Sequence, residues 1–263
     1  MPKRNKPSRA GVAFFDTQAD RLSKLYGCKQ SHFDRLRLFT ERIGRIVPQG
    51  GAILDFGCGP GVMSVALAES GYRVVGLDAA PNMIEFALAE AERAGNTNAT
   101  FRVIDGDDRA LGASQYDAIL CSSVIEFVED ESTLLDSLAA ALVPGGTLFI
   151  SVPNGRSVIG AARDWAGRIL HLDKLPGRRY RRHSLRTYSV SRLSMALRSA
   201  GLELMSRTYF ESPIPGRIGV GLSRLSLLGT MMLFVARKPD PVEDGCDPRP
   251  SEVESFQQAR VIR

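Results

Sequence analysis

The chain has 263 residues, with 44% hydrophobic and 24% charged side chains and a formal net charge of +5. That balance excludes a wholly disordered chain and supports one large α/β domain with a sizeable core. A pI near 9.2 admits nucleic acid, an anionic membrane or an acidic substrate as partners, so where the charge sits matters more than its total.

The N-terminus, residues 1–11, gathers Lys3, Arg4, Lys6 and Arg9 and carries Pro2 and Pro7. It reads as a basic, poorly ordered segment without the apolar core of a signal peptide. Two helical patterns follow, Phe14 to Tyr26 and His32 to Val47, the second with Phe33, Leu36, Phe39, Ile43, Ile46 and Val47 at spacings of three and four. From Ala52 to Pro153 short apolar runs alternate with helical ones: AILDF, a helix from Val62, VVGLD, a helix from Pro81, TFRVI, YDAILC, a helix from Glu131, and TLFISV. Strands separated by helices imply βαβ units, and hence a parallel sheet whose strand C-termini share one ligand-binding edge.

After Asn154 the pattern changes. Val158, Ala162, Trp165, Ile169 and Leu172 make a helical stripe, followed by a basic run with Arg178, Arg179, Arg181, Arg182 and Arg186. The stretch 155–190 reads as a lid inserted into the domain. One reading packs its stripe on the sheet edge with solvated arginines; the other rests it on an anionic membrane or an acidic substrate. A helix from Val190 to Ala200, ended by Gly201, precedes two strand-like segments, LELMSRTYF and TMMLFVARK. The domain then spans 12–238, and residues 239–263 form a flexible tail. The four cysteines lack paired CxxC spacing, which fits a reducing cytosol and offers no metal site. No uncharged run approaches the length of a membrane span.

Chemistry concentrates at the strand ends. Asp55-Phe56-Gly57-Cys58-Gly59-Pro60-Gly61 is a strand running into a bare-backbone turn that opens a helix, where a ligand can approach without meeting a Cβ. About twenty residues on, Asp78 ends the second strand with a carboxylate able to accept from both hydroxyls of a ribose. The third strand ends at Asp105-Gly106-Asp107-Asp108 and the fourth at Leu120-Cys121-Ser122-Ser123. A dinucleotide oxidoreductase shares the loop and the acidic residue, but its usual spacing is GxGxxG rather than GxGxG.

As an ordered set, LDFGCGPG, GLDAAPNMIEFA, DGDD, YDAILCSSVIEFVED and LVPGGTLFISVPN resemble the class I S-adenosylmethionine-dependent methyltransferases. The likeness is greatest to the quinone and small-molecule branch that includes the ubiquinone-biosynthesis O-methyltransferases. The resemblance covers roughly Phe14 to Ala200. It implies a Rossmann-like three-layer sandwich with a seven-stranded, mostly parallel sheet and one late antiparallel strand. It implies S-adenosyl-L-methionine as cofactor, with Asp55, Gly57, Gly59, Gly61, Asp78, Ala79, Met83, Asp107, Asp108 and Cys121 around it. In that reading Asp55 orders the loop and the methionine amino end, while Gly59 and Gly61 clear space for the sugar.

Methyl transfer asks the protein for alignment and, for an oxygen or nitrogen acceptor, removal of a proton. The candidates for that base are Glu126, His183 and His32. Related enzymes resemble CxExxEH here; this sequence keeps the second carboxylate as Glu126 but has Ser123 for the first and Phe127 for the histidine. The departure argues against carrying over a metal site, and Phe127 reads as a pocket wall. The expected reaction is methylation of a small or lipid-like acceptor on a hydroxyl oxygen. RNA methylation has only the basic balance behind it, since neither an (N/D)PP(Y/F/W) turn nor a Pro-Cys pair stands at the fourth strand. A non-catalytic cofactor-binding module is the other alternative.

Overall fold

The computed structural model describes residues 8–26, 30–104, 111–158, 160–162, 165, 183–211 and 221–240. Three helices come first: α1 (Arg9–Thr17), α2 (Ala19–Tyr26) and α3 (Gln30–Ile46). Then β1 (Ala52–Phe56), α4 (Val62–Glu69), β2 (Arg73–Asp78), α5 (Pro81–Arg93) and β3 (Ala99–Val103) form two crossover units. They are followed by β4 (Tyr116–Ser122), α6 (Glu131–Ala141), β5 (Leu142–Pro153), α7 (Val190–Ser199), β6 (Glu203–Phe210) and β7 (Met231–Arg237).

The strands make one seven-stranded sheet in the order β3-β2-β1-β4-β5-β7-β6. β1 to β5 run parallel, and β7 inserts antiparallel between β5 and β6. The chain therefore winds outward from β1 through β2 to β3, then returns to lay β4 on the other side of β1. This reversal opens a crevice beyond the C-terminal ends of β1 and β4, the place where doubly wound sheets hold ligands. Seven strands, one of them antiparallel, are what the family resemblance implied.

Alternation along the strands sends side chains into two layers. Leu54, Leu77, Ile119, Leu148, Ile150 and Phe234 pack with the helices α6 and α7 through Leu134, Leu138, Leu193 and Leu197. Ile53, Val74, Leu120, Phe149 and Leu233 face the opposite layer, where α3 contributes Phe39 and Ile43 and α4 contributes Leu67. Covering on both faces is why these strands read as continuous apolar runs. A smaller cluster joins α1 and α2 to the start of α5: Val12, Phe15, Ala19 and Leu22 pack on Ala80 and Met83.

Two expectations are corrected here. Residues 9–11 are not a loose tail but the first turn of α1, because Ser8 caps it by accepting a hydrogen bond from the Gly11 N–H at 3.1 Å. The stripe after Asn154 does not pack on the sheet edge where it is described: Val158 and Trp165 are 56% and 68% exposed. Ile169, Leu172 and Arg178 to Arg182 lie outside the described residues, as does most of the expected tail.

Candidate active site

The turn after β1 is built by its neighbours. Gly57 and Cys58 donate backbone N–H bonds to the Leu77 carbonyl at 2.7 and 3.0 Å, which folds the loop against the end of β2. Gly57 has φ +77° and a Cβ there would stand 2.2 Å from Cγ2 of Val124, so only glycine lets β1 and the turn after β4 approach so closely. Gly57→Ala is expected to lower stability by roughly 2 to 4 kcal/mol, through left-handed strain plus overpacking, read as a shift in the urea midpoint. An unchanged midpoint would contradict this packing.

Gly59 differs, with φ +53° and no atom within 4 Å of where a Cβ would be; the space above it is open. Its N–H donates to Oδ2 of Asp78 at 2.9 Å, while Oδ1 of Asp78 accepts from the Ala80 N–H, also at 2.9 Å. The carboxylate thus ties the glycine turn to the start of α5, where Pro81 presets the helical φ. Each oxygen keeps a lone pair for a ligand.

A cavity of about 380 Å³ fills the crevice. On the side of β1 and β2 its walls include Gly57, Gly59, Asp78, Ala79, Met83 and Ile104. On the side of β4 they include Arg35, Ser122, Ser123, Glu126, Phe127 and Glu211. The helices α1 and α2 close it from above. Ser8 donates its N–H to the Phe127 carbonyl at 3.0 Å, Phe15 meets the Phe127 ring edge-on at 5.1 Å, and Asp16 accepts from the Asn82 N–H at 2.8 Å. Phe127 is a wall of the pocket, in the position read from the sequence.

Glu126 sits in a short 3₁₀ turn after β4 (Ile125–Phe127) and is 2% exposed. Its Oε2 has no hydrogen-bond partner among the described residues. Burial lifts its carboxyl to about 7, against hydrogen bonding and the nearby Arg35 charge, which lower it. The turn is held from outside: the Glu126 carbonyl accepts from the Leu185 N–H at 2.8 Å, and the Arg186 guanidinium donates to the carbonyls of Val128 and Glu129. Arg186 and Arg192 also flank Glu131, which accepts from the Tyr188 hydroxyl at 2.7 Å.

Several residues singled out by sequence stand elsewhere. Asp55 is not in the cavity wall; it is 3% exposed and accepts from the Ser64 hydroxyl at 2.6 Å, pinning β1 to the first turn of α4. Burial raises its carboxyl to about 6, opposed by that bond. Gly61 makes room for a helix rather than for a ligand, since a Cβ would lie 2.7 Å from that of Ala87. Cys121 is fully buried in the core layer, and burial raises its thiol well above the usual range. β4 reaches the cavity only one step further on, through Ser122 and Ser123. Asp107 and Asp108 lie outside the described residues. His183 lies tilted against Phe14 with ring centroids 4.8 Å apart and is not in the wall, whereas His32 is in the wall, stacked on Tyr26 at 4.2 Å.

The sequence reading missed Arg35 and Glu211. Nε and Nη2 of Arg35 donate to Oε1 of Glu211 at 3.0 and 2.6 Å, and Nη1 donates to the Ser123 hydroxyl at 3.3 Å. The one available signal was an arginine one turn ahead of Phe39 on the apolar face of α3.

A glycine turn with open space above it, a rim carboxylate and a cavity at the strand-order reversal define a class: an α/β protein that binds a nucleotide-like ligand at its switch point. The family follows from comparison. A family described as "Methyltransferase domain" matches residues 30–207, and the chain belongs to it. It is 34% identical over 158 residues to the ubiquinone biosynthesis O-methyltransferase of Xylella fastidiosa (strain 9a5c), covering 51% of this chain and 63% of that protein. With the protein of the same name from Xanthomonas axonopodis pv. citri (strain 306) it shares 30% over 167 residues, covering 61% and 66%. The chain thus spans less than two thirds of these relatives. The crystal structure of magnesium protoporphyrin IX methyltransferase from Synechocystis PCC 6803 with bound SAH has the same fold, with TM-score 0.64 at 20% identity over 86% of this chain and 97% of that one.

Proposed function

We propose that the chain binds S-adenosyl-L-methionine and methylates a hydroxyl oxygen of a small or lipid-like acceptor, with Glu126 taking the proton. One observation carries this reading: a single cavity joins the open backbone at Gly59 and the Asp78 carboxylate to the buried Glu126, whose Oε2 has no hydrogen-bond partner among the described residues. The residues suit the cofactor. Asp78 offers acceptors for a ribose diol, Met83 and Ile104 offer apolar faces for a base, and a side chain at position 59 would enter the space required. The names of the two curated relatives support an oxygen acceptor.

When bound, the cofactor supplies a methyl group on a sulfonium that needs no further activation. The chain's own work is then to exclude water, align the acceptor and remove its proton. α1 and α2 provide the cover. Glu126, with its carboxyl poised near 7, both accepts a proton at neutral pH and returns it to water afterwards. His183 serves the cover through Phe14 rather than the reacting atoms.

The test is calorimetry with S-adenosylhomocysteine, followed by mass spectrometry for the gain of one methyl group on a phenol, a lipid fraction or RNA. Binding with transfer to the phenol or lipid supports the proposal. Transfer to RNA alone, or binding without any transfer, would favour the macromolecular or the non-catalytic alternative.

The exposed stripe supports a peripheral contact. The Val158 N–H donates to the Leu227 carbonyl at 2.8 Å, which sets exposed Val158 beside exposed Leu225 and Leu227. Trp165 is exposed as well, and Arg156 and Arg224 are exposed close to Val158 and Leu225 in sequence. Among the described residues no helix is long and apolar enough to cross a membrane. The arrangement fits an anionic lipid surface, with apolar side chains entering and arginines at the headgroups. Trp165→Ala is expected to weaken sedimentation with phosphatidylglycerol vesicles on the order of tenfold; equal sedimentation of variant and wild type would remove this contact from the proposal.

A further inference from the structure

The carbonyls of the turn that carries Glu126 take their hydrogen bonds from distant parts of the chain. α1 supplies the Ser8 N–H to Phe127, and the segment 183–188 supplies the rest. The Leu185 N–H bonds to the Glu126 carbonyl at 2.8 Å, and the two Nη atoms of Arg186 bond to the carbonyls of Val128 and Glu129. An irregular turn at the edge of a core needs such partners, since no ladder provides them. Arg186 is itself held. Its Nε stands 3.8 Å from Oε2 of Glu131, in the first turn of α6, and Glu131 is fixed in turn by the Tyr188 hydroxyl at 2.7 Å and by Arg192 at 2.8 Å. With its side chain 21% exposed, this arginine of the basic run is engaged inside the fold rather than offered to solvent or lipid.

The inner face of the same turn lines the cavity through Ser123, Val124, Glu126, Phe127 and Val128. Oε2 of Glu126 has no hydrogen-bond partner among the described residues, so no side chain at that oxygen fixes where the carboxyl stands. Its place is set by the backbone on which it is mounted, and Arg186 grips that backbone from the other side. The carboxyl stays buried only while the turn is closed.

We propose that Arg186 is a positioning residue: by gripping the Val128 and Glu129 carbonyls it keeps the turn closed and holds the Glu126 carboxyl, shielded from water, in the acceptor half of the cavity. This rests on the reading of Glu126 as the base. Arginine suits the task because its planar fork spans two adjacent carbonyls at once, whereas a lysine ammonium on a flexible stem is a single point of contact.

The test is a carbon NMR titration of the full chain labelled with ¹³C-carboxyl glutamate, the Glu126 signal being identified by its absence from Glu126→Gln. The charged and titratable groups around Glu126 are Arg35 on α3, Cys121 on β4 and Tyr188 beside the clamp, and all three stay in place. Wild-type Glu126 is expected to titrate near 7. In Arg186→Met water enters the turn, and the midpoint should fall toward the ordinary 4.5, to below about 6. Removing a cation could by itself only raise a carboxyl, so a fall reports opening of the turn and not the lost charge. Arg186→Lys should fall between. A midpoint in Arg186→Met that stays near 7 or rises would overturn the proposal. Should that variant fail to fold, hydrogen exchange of wild type decides: protection of the Leu185 amide by about 100-fold or more over a free peptide supports the clamp, and weaker protection overturns it. A wild-type midpoint near 4.5 would instead overturn the reading of Glu126 as the base, so the two failures are distinct.

Discussion

Asp78→Ala is expected to weaken S-adenosylhomocysteine binding by about 100-fold or more while the protein stays folded. In the free protein the carboxylate accepts from the Gly59 and Ala80 N–H groups, and in the proposed complex it would also take the ribose hydroxyls. Each hydrogen bond to a charged group contributes about 1.5 to 3 kcal/mol, so the loss of two to the ligand already gives that factor. Loosening of the Gly59 turn adds to it. Asp78→Asn should be milder, because its carbonyl oxygen still accepts while its amide cannot. Calorimetric titration of the three proteins checks this, and an Asp78→Ala protein with wild-type affinity would mean that the sugar lies elsewhere.

Glu126→Gln should leave cofactor affinity within about twofold yet lower kcat by roughly 10² to 10⁴, the range for loss of a general base. In wild type the rate should rise with pH through about 7 as Glu126 ionises; in the variant this rise should disappear. Stability gives an independent sign. The carboxyl is raised from an ordinary 4.5 to about 7 in the folded chain, so its contribution is fully present below 4.5 and is lost as pH rises through 7. Glu126→Gln removes that loss, so denaturant midpoints of the variant should gain on wild type between those pH values. Loss of activity alongside relative stabilisation at pH 8 is a result that a merely structural glutamate would not produce. Retained activity with an unaltered pH profile would take Glu126 out of the chemistry.

What could be read from sequence follows from range. The strands, the glycine turn and Asp78 are local patterns, fixed by alternation, spacing and the need for bare backbone, and the structure places them at one sheet edge. Cys121 was misplaced by a single step, because an apolar run does not show where its strand leaves the core; Ser122 and Ser123 are the first residues past that boundary. Gly61 shares the loop's pattern, but its neighbour Ala87 belongs to another helix, and no spacing within the loop shows that. Arg35 and Glu211 are 176 residues apart, and only the insertion of β7 between β5 and β6 brings the end of β6 over α3. Likewise, the role of α1 as a cover depends on Ser8 reaching the Phe127 carbonyl, a contact across the whole nucleotide-binding half of the sheet. Periodicity identified α1 and α2 as helices without saying what they enclose.

The proposed chemistry requires one placement, the adenosyl group across the end of β1. A crystal structure with S-adenosylhomocysteine tests it directly. The ribose should lie on the Asp78 carboxylate, with ligand atoms filling the open space over Gly59 and the sulfur directed toward the Glu126 side of the cavity. A ligand bound away from Gly59, or in the crevice with its sugar turned from Asp78, would contradict it.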